Sequence, residues 1–124
     1  MEKVLIVDDN NFFRHMLRGL LHSRLPSLNI FEAKTRQTAM EIIETSLPEV
    51  IFMDIQLPDG DGLEVTRQIK KLHPGINVVV VTSYDEPEYR DAAFRSKADQ
   101  YVPKKDLMSM LIQILPVLPL VGEE

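Results

Sequence analysis

The sequence contains no cysteine and no long apolar run. The lack of cysteine excludes disulfides, thiolate metal sites and cysteine nucleophiles together. A membrane-spanning helix needs roughly 18 consecutive apolar residues, and the apolar runs of this chain are all much shorter. The first of them begins directly after Lys3, with no basic and then apolar leader in front of it. These features predict a cytoplasmic protein that does not contact the membrane.

Long basic segments are also missing, since no run of lysine and arginine exceeds two residues. Nineteen acidic residues against fourteen basic ones give a net charge of −5. Nucleic-acid-binding domains usually carry a basic stripe, so we expect no direct nucleic acid binding by this domain. A length of 124 residues is sufficient for one domain with a substantial core.

Strand-like and helix-like segments alternate along the whole chain. Strand-like segments begin near Val4, Leu28, Val50, Val78 and Tyr101. Each is followed by a segment whose apolar residues recur at helical spacing. The alternation predicts an α/β fold with a (βα)₅ pattern.

Polar residues at the helix starts indicate how several helices are capped. Asn10 or Asn11 is placed to cap the first helix, and Asp61 with Glu64 has the spacing of a capping box for the third. Asp106 is placed to cap the fifth. These residues set the expected boundaries of three helices.

The polarity of the strands predicts their order in the sheet. Strands buried on both faces are continuously apolar, whereas edge strands tolerate polar residues. The first, third and fourth strands are the apolar ones. The order 2-1-3-4-5 buries these three, whereas an order that begins 3-2-1-4-5 buries the polar second strand. We therefore predict a parallel five-stranded sheet of order 2-1-3-4-5 with right-handed crossovers.

Charged and hydroxyl side chains follow the apolar strands where those strands end. Asp8-Asp9 follows the first strand, Asp54 the third, Thr82-Ser83 the fourth and Lys104 the fifth. The carboxyl ends of parallel strands meet at one edge of the sheet, so these groups are expected to share one crevice. Clustered carboxylates repel one another and require a cation, and an oxygen-ligated divalent metal fits best. The lysine and the hydroxyls suit an anion such as phosphate.

Each of these residues also has a structural interpretation when taken alone. Asp8 and Asp9 can simply begin a loop, and Asp54 can be a turn residue. Thr82 is an ordinary residue for a strand end, and Lys104 alone is a solvated lysine. Their joint occurrence at one end of one sheet favours a functional site.

Taken together, four segments give the chain a resemblance to the receiver domain of bacterial two-component response regulators, which has a flavodoxin-like three-layer fold. The matching segments are Val7-Asp8-Asp9, residues 53–62, Val81-Thr82-Ser83 and residues 98–104. On this basis residues 1–115 are predicted to form the receiver domain, and residues 116–124 a C-terminal tail or the start of a linker.

The resemblance implies a role for each residue that matches the family pattern. Asp54 would be the phosphoacceptor. Asp9, Asp54 and the backbone carbonyl of Gln56 would bind Mg²⁺ directly, and Asp8 would bind it through water. These are few protein ligands, as suits a small ion that keeps part of its hydration shell.

The other implied roles concern the phosphoryl group and the switch. Lys104 and Thr82 would contact phosphoryl oxygens, and Tyr101 would rotate into the space that Thr82 leaves. On an edge strand, Tyr101 is equally compatible with static packing. The family positions that flank the path of the hydrolytic water are occupied here by Gln56 and Tyr84, which are expected to set the lifetime of the phosphorylated state.

The partners implied by the resemblance are a histidine kinase or phosphotransfer protein upstream, and a downstream protein or an effector domain absent from this chain. A phosphorylation-dependent homodimer is also compatible with it. Such a domain accepts a phosphoryl group and is not a turnover enzyme. The alternative is a magnesium-dependent phosphohydrolase of the haloacid dehalogenase type, which also uses an aspartyl nucleophile. That family has a second acid two residues after the nucleophile, where this chain has Gln56.

Overall fold

A computed structural model of the protein describes residues 2–120. Its main sheet contains five parallel strands in the order β2-β1-β3-β4-β5. The strands are β1 (Lys3–Val7), β2 (Asn29–Ala33), β3 (Val50–Met53), β4 (Asn77–Thr82) and β5 (Gln100–Pro103). Both the α/β class and the predicted strand order are confirmed, because the three apolar strands lie inside the sheet and the two more polar ones at its edges.

Five helices connect or follow these strands. They are α1 (Asn11–Arg24), α2 (Arg36–Ser46), α3 (Gly62–Leu72), α4 (Pro87–Arg95) and α5 (Leu107–Ile114). Two further short elements follow β3, the two-residue strands Gln56–Leu57 and Gly60–Asp61, which pair with each other. None of the helices within residues 2–120 has the length and apolar character that crossing a membrane requires.

Alternate side chains of each strand are buried on opposite faces of the sheet. In β1, Val4 and Ile6 belong to a core cluster that includes residues of α1 and α5. Leu5 and Val7 belong to a second cluster that includes residues of α2 and α3. This period-two alternation produces three layers, with the sheet between two sets of helices.

The helix caps agree only partly with the sequence-based expectations. The side chain of Asn10 accepts a hydrogen bond from the backbone N–H of Phe13 and caps α1. Asp61 caps α3, but the predicted capping box does not form in the described part of the chain, because Glu64 pairs with Arg67 instead. The side chain of Asp106 makes no capping hydrogen bond.

The C-terminal segment continues to pack after α5. A short 3₁₀ turn, Leu115–Val117, contains Pro116 and follows the helix. Leu118 then lies buried in the cluster formed with α1 and α5. The predicted tail therefore contacts the core at Leu118 and Leu120, whereas its last residues, 121–124, lie outside the described residues.

Candidate functional site

The register of the sheet places the carboxylates side by side. Val7 at the end of β1 pairs with Met53 at the end of β3. Asp8 and Asp54 directly follow these two strands, so they begin at neighbouring positions at one edge of the sheet. The carboxylate oxygens of Asp8, Asp9 and Asp54 include a set that all lie within 4.8 Å of one another. The sheet therefore brings together the three acids that the sequence singled out.

Asp8 is the most buried of the three acids, at 2% exposure. Its Oδ1 accepts a hydrogen bond of 2.8 Å from the backbone N–H of Asn10. Its Oδ2 lies 2.7 Å from the ammonium of Lys104 but makes no hydrogen bond of good geometry with the described residues. The Lys104 ammonium compensates the charge of this buried oxygen, and the remaining hydrogen-bonding capacity of the oxygen suits a bound water.

Lys104 brings the positive charge into this cluster. Its ammonium lies 2.7 Å from Asp8 and 3.5 Å from Asp54. It also lies 4.4 Å from the centre of the Phe13 ring, a cation–π contact that orients the lysine from the side of α1. The sequence analysis expected Lys104 in this cluster. It missed Phe13, because the helical spacing of Phe13 indicated only a core residue.

The Asp54 carboxyl has an unusual protonation equilibrium. Burial and the neighbouring Asp8 charge raise its pKa from 3.8 to about 6, against the opposing effects of Lys104 and the backbone N–H groups of Ile55 and Gln56. The carboxylate is thus mostly ionised at neutral pH, but its charge is poorly compensated. A cation that binds beside it would lower this pKa.

An open cleft of about 330 Å³ gives access to the cluster. Its lining residues come from the ends of the strands and the loops that follow: Asp9, Asn10, Asp54, Gln56, Leu57, Pro58, Ser83 and Lys104. A cleft of about 380 Å³ beside α3 and α4 does not include the cluster, and one of its two arginines, Arg67, already pairs with Glu64. Of these two clefts, only the 330 Å³ cleft combines a potential nucleophile, Asp54, with an ammonium group, that of Lys104.

Thr82 and Tyr101 do not line the cleft, and both contact the loop that follows β4. Thr82 is fully buried, and its hydroxyl oxygen accepts a hydrogen bond of 3.1 Å from the backbone N–H of Tyr84. The hydroxyl of Tyr101, which is also buried, donates a hydrogen bond to the carbonyl of Tyr84. Thr82 and Tyr101 therefore contact the same loop residue from two sides.

Gln56 lines the cleft, and Tyr84 contacts it from beside the cleft. The Tyr84 hydroxyl donates a 2.6 Å hydrogen bond to the side-chain oxygen of Gln56. The Tyr84 ring stacks on Tyr89 of α4, with ring centres 4.7 Å apart and planes inclined by 17°. The structure thus brings together the two residues expected to set the lifetime, and adds Tyr89, which the sequence analysis missed.

Arg14 is a third residue whose role sequence reasoning missed, after Phe13 and Tyr89. It is buried at 4% exposure, and its Nη1 donates a 2.6 Å hydrogen bond to the backbone carbonyl of Asp8. Its Nε donates to Glu32 at 2.9 Å, and Arg18 pairs with the other oxygen of Glu32 at 3.0 Å. The sequence feature that could have indicated these ion pairs is Glu32, a charged residue inside a strand. This network fixes the backbone at the end of β1.

Gly62 is the fourth residue whose role sequence reasoning missed. A Cβ atom there would lie 1.8 Å from the carbonyl oxygen and 2.8 Å from the carbonyl carbon of Asp54. The Gly62 N–H also donates a 2.6 Å hydrogen bond to the carbonyl of Ile55. A glycine is required because the backbone of α3 passes directly against the backbone of the phosphoacceptor candidate.

The donor set suits a small, hard cation. Carboxylate and carbonyl oxygens are the ligands that Mg²⁺ prefers, and this ion usually keeps several waters. Asp9 is exposed in the cleft, Asp54 lies behind it, and the Oδ2 of Asp8 is incompletely satisfied. The residues present therefore fit Mg²⁺.

Comparisons with known proteins give a consistent result. A family model described as the response regulator receiver domain matches residues 4–115. The chemotaxis protein CheY of Halobacterium salinarum is 33% identical over 103 residues, which cover 83% of this chain and 84% of that protein. The KDP operon transcriptional regulatory protein KdpE of Escherichia coli is 35% identical over 104 residues, which cover 84% of this chain but 45% of that protein.

Solved structures give the same result. The CheY-like response regulator receiver domain protein of Methanospirillum hungatei JF-1 superposes with a TM-score of 0.80 at 26% identity, covering 94% of this chain and 95% of that one. A DNA-binding response regulator of the LuxR family from Staphylococcus aureus gives 0.85 at 29% identity, covering 94% and 98%. Several curated relatives are more than twice as long as the matched segment, since the match covers between 38% and 49% of their length.

Proposed function

The chain belongs to the response regulator receiver domain family of two-component systems, and from this premise we propose that it is a switch controlled by phosphorylation of Asp54. The observation that carries the proposal is the position of Asp54, in an open cleft 3.5 Å from the Lys104 ammonium and beside two further acids. A histidine kinase or phosphotransfer protein would supply the phosphoryl group.

The proposed reaction is nucleophilic substitution at phosphorus. An oxygen of ionised Asp54 forms a bond to phosphorus, the bond to the donor breaks, and the donor leaves with that electron pair. Charge accumulates on the phosphoryl oxygens, where the Lys104 ammonium provides electrostatic stabilisation. When bound, Mg²⁺ would supply further positive charge at the same oxygens.

The proposed metal ligands are Asp9, Asp54 and the backbone carbonyl of Gln56, with Asp8 acting through water. The distribution of charge supports this division, because Asp8 already pairs with Lys104 at 2.7 Å whereas Asp9 is exposed in the cleft. Direct ligands contribute more to affinity than residues that act through water.

Asp9→Ala is therefore expected to weaken Mg²⁺ binding more than Asp8→Ala. The ion has few protein ligands and is strongly hydrated, so the loss of one direct carboxylate should lower the affinity by roughly tenfold or more. Isothermal titration calorimetry with MgCl₂ measures both variants against the wild type. An Asp9→Ala protein with wild-type magnesium affinity would show that the ligand assignment is wrong.

The proposed switch uses Thr82 and Tyr101. The Thr82 hydroxyl would donate to a phosphoryl oxygen and give up its present contact with the N–H of Tyr84. Tyr101 shares the same loop residue through the Tyr84 carbonyl, so a movement of Thr82 would disturb its hydrogen bond. This rearrangement would change the affinity for a downstream protein, an attached effector domain or a second copy of the chain.

Phosphodonor assays distinguish this function from a phosphohydrolase. With Mg²⁺ and acetyl phosphate, the proposal predicts incorporation of about one phosphoryl group per chain. With a phosphate monoester such as p-nitrophenyl phosphate, it predicts no multiple turnover, because Gln56 replaces the second acid that the hydrolase chemistry requires. Sustained monoester turnover that depends on Asp54 would support the hydrolase instead.

Tyr84→Ala is expected to shorten the life of the phosphorylated state by roughly tenfold, because the ring restricts the in-line approach of water. The Tyr84 hydroxyl is hydrogen-bonded to Gln56, which lines the cleft, so the ring lies beside the cleft. The decay of phosphorylated protein after removal of the donor measures the effect. Decay at or below the wild-type rate would mean that another residue limits access.

A further inference from the structure

Two contacts hold the Tyr84 side chain beside the cleft. Its hydroxyl bonds to Gln56, which lines the cleft, and its ring stacks on Tyr89. We call this pair of stacked rings, Tyr84 and Tyr89, the tyrosine cover. Tyr84 belongs to the loop between β4 and α4, whereas Tyr89 belongs to the first turn of α4. The stack thus connects a loop side chain to a helix.

We propose that Tyr89 is a positioning residue that keeps Tyr84 beside the cleft of the phosphoacceptor and thereby slows hydrolysis of phosphorylated Asp54. This inference rests on the proposed function. Neither tyrosine lines the cleft itself: Tyr84 contacts the lining residue Gln56, and Tyr89 acts through the ring of Tyr84.

The backbone of Tyr84 is anchored independently of Tyr89. The Tyr84 N–H donates to Thr82, and the Tyr84 carbonyl accepts from Tyr101. These contacts fix where the side chain begins but leave its χ angles free. The direction of the ring is therefore determined by the stack on Tyr89, by the hydrogen bond to Gln56 and by packing against the buried cluster that includes Tyr101.

Tyr89 is well placed to hold the ring. It lies two residues after Pro87, which begins α4 with a fixed φ angle, and its N–H donates to the Glu86 carbonyl at 3.0 Å. The nearly parallel rings, at 4.7 Å, have the geometry of a favourable aromatic pair. Because Tyr89 is held by a helix, stacking costs less conformational entropy than it would if both rings belonged to loops.

The reaction that the cover would slow consumes one water molecule. The water oxygen forms a bond to phosphorus, and the bond from phosphorus to the Asp54 oxygen breaks. The products are the Asp54 carboxylate, hydrogen phosphate and one proton. Gln56 has an amide oxygen that could accept a hydrogen bond from that water, but the Tyr84 hydroxyl already occupies it at 2.6 Å. The tyrosine cover would thus narrow the path of water to phosphorus. It also engages the Gln56 amide oxygen, which could otherwise orient that water.

Decay measurements on four variants test the proposal. After labelling with acetyl phosphate and Mg²⁺ and removal of the donor, Tyr89→Ala should lose phosphate roughly threefold to tenfold faster than wild type, as expected for loss of one aromatic pair. Tyr89→Phe keeps the stack and should decay like the wild type. In a Tyr84→Ala background, Tyr89→Ala should add no further acceleration.

Two results would overturn the inference. One is a wild-type decay rate in Tyr89→Ala. The other is an equal acceleration by Tyr89→Ala with and without Tyr84, which would mean that Tyr89 acts through a different contact. If wild-type protein takes up no phosphate at Asp54, the proposed function itself fails, and the position of the ring is then tested by spectroscopy alone.

The composition provides that spectroscopic test. The chain has no tryptophan and three tyrosines, so tyrosine emission arises from Tyr84, Tyr89 and Tyr101. Tyr89→Ala and Tyr89→Phe leave the same two emitters, of which Tyr101 is buried. Acrylamide should quench the emission of Tyr89→Ala more strongly than that of Tyr89→Phe, because Tyr84 is released. Equal quenching would contradict the proposed position without any reference to phosphorylation.

Discussion

Gly62→Ala is expected to lower the free energy of unfolding by about 3 kcal/mol or more, as severe overpacking does when the backbone must shift. The added methyl group would meet the Asp54 carbonyl oxygen at 1.8 Å. Because the obstacle is backbone, no rotamer change relieves the clash. Urea denaturation monitored by far-UV circular dichroism measures the loss.

Gly19→Ala is the matched control for this variant. Gly19 lies on the exposed side of α1, and a Cβ atom there would meet nothing within 4 Å. Alanine is favoured over glycine inside a helix by about 1 kcal/mol, so this control should stabilise the domain. Equal stability changes in the two variants would show that the contact between Gly62 and Asp54 has no energetic effect.

Asp54→Asn is expected to abolish phosphorylation and, without Mg²⁺, to raise stability at pH 7 by about 1 to 2 kcal/mol. A pKa raised from 3.8 to about 6 means that folding disfavours the charged form. The full electrostatic cost corresponds to about 3 kcal/mol, and the desolvated amide of asparagine retains part of it. Asp91→Asn, an exposed substitution on α4, is the control for both readouts.

The pH dependence of this stabilisation follows from the direction of the shift. The folded state binds the Asp54 proton more tightly than the unfolded state, so the wild-type stability contributed by this group is largest below about pH 4 and is lost as the pH rises through about 6. The advantage of Asp54→Asn should therefore be small at pH 4 and complete near pH 7. Denaturation curves at both pH values measure it, and an advantage that grows towards acid pH would contradict the assignment.

The sheet and its acidic edge were predictable because they depend on local patterns. Apolar strands that end in Asp8 or Asp54 signal buried parallel strands whose tips share one edge. Because edge and interior strands differ in polarity, the order of the strands in the sheet was predictable as well. The burial of Val4 and Leu5 on opposite faces needs only the two-residue period of a strand.

The contacts that shape the site were not predictable in the same way. Phe13 and Arg14 follow one another on α1, yet one contacts Lys104 and the other the Asp8 carbonyl. Such pairs depend on the rotation of a helix relative to the sheet, and a single sequence does not specify it. The requirement for glycine at position 62 likewise arises from a close approach to Asp54 that only the folded backbone creates.

Chemical mapping of the phosphorylated residue tests the central claim most directly. Wild-type protein is labelled with acetyl phosphate and Mg²⁺, reduced with borohydride, which converts an aspartyl phosphate to homoserine, and analysed by peptide mass spectrometry. The structure places Asp54 in the cleft beside Lys104 and the other two acids, so homoserine should appear at position 54 and depend on Mg²⁺. Homoserine at Asp8 or Asp9 instead, or acid-stable phosphate on a hydroxyl, would contradict the account.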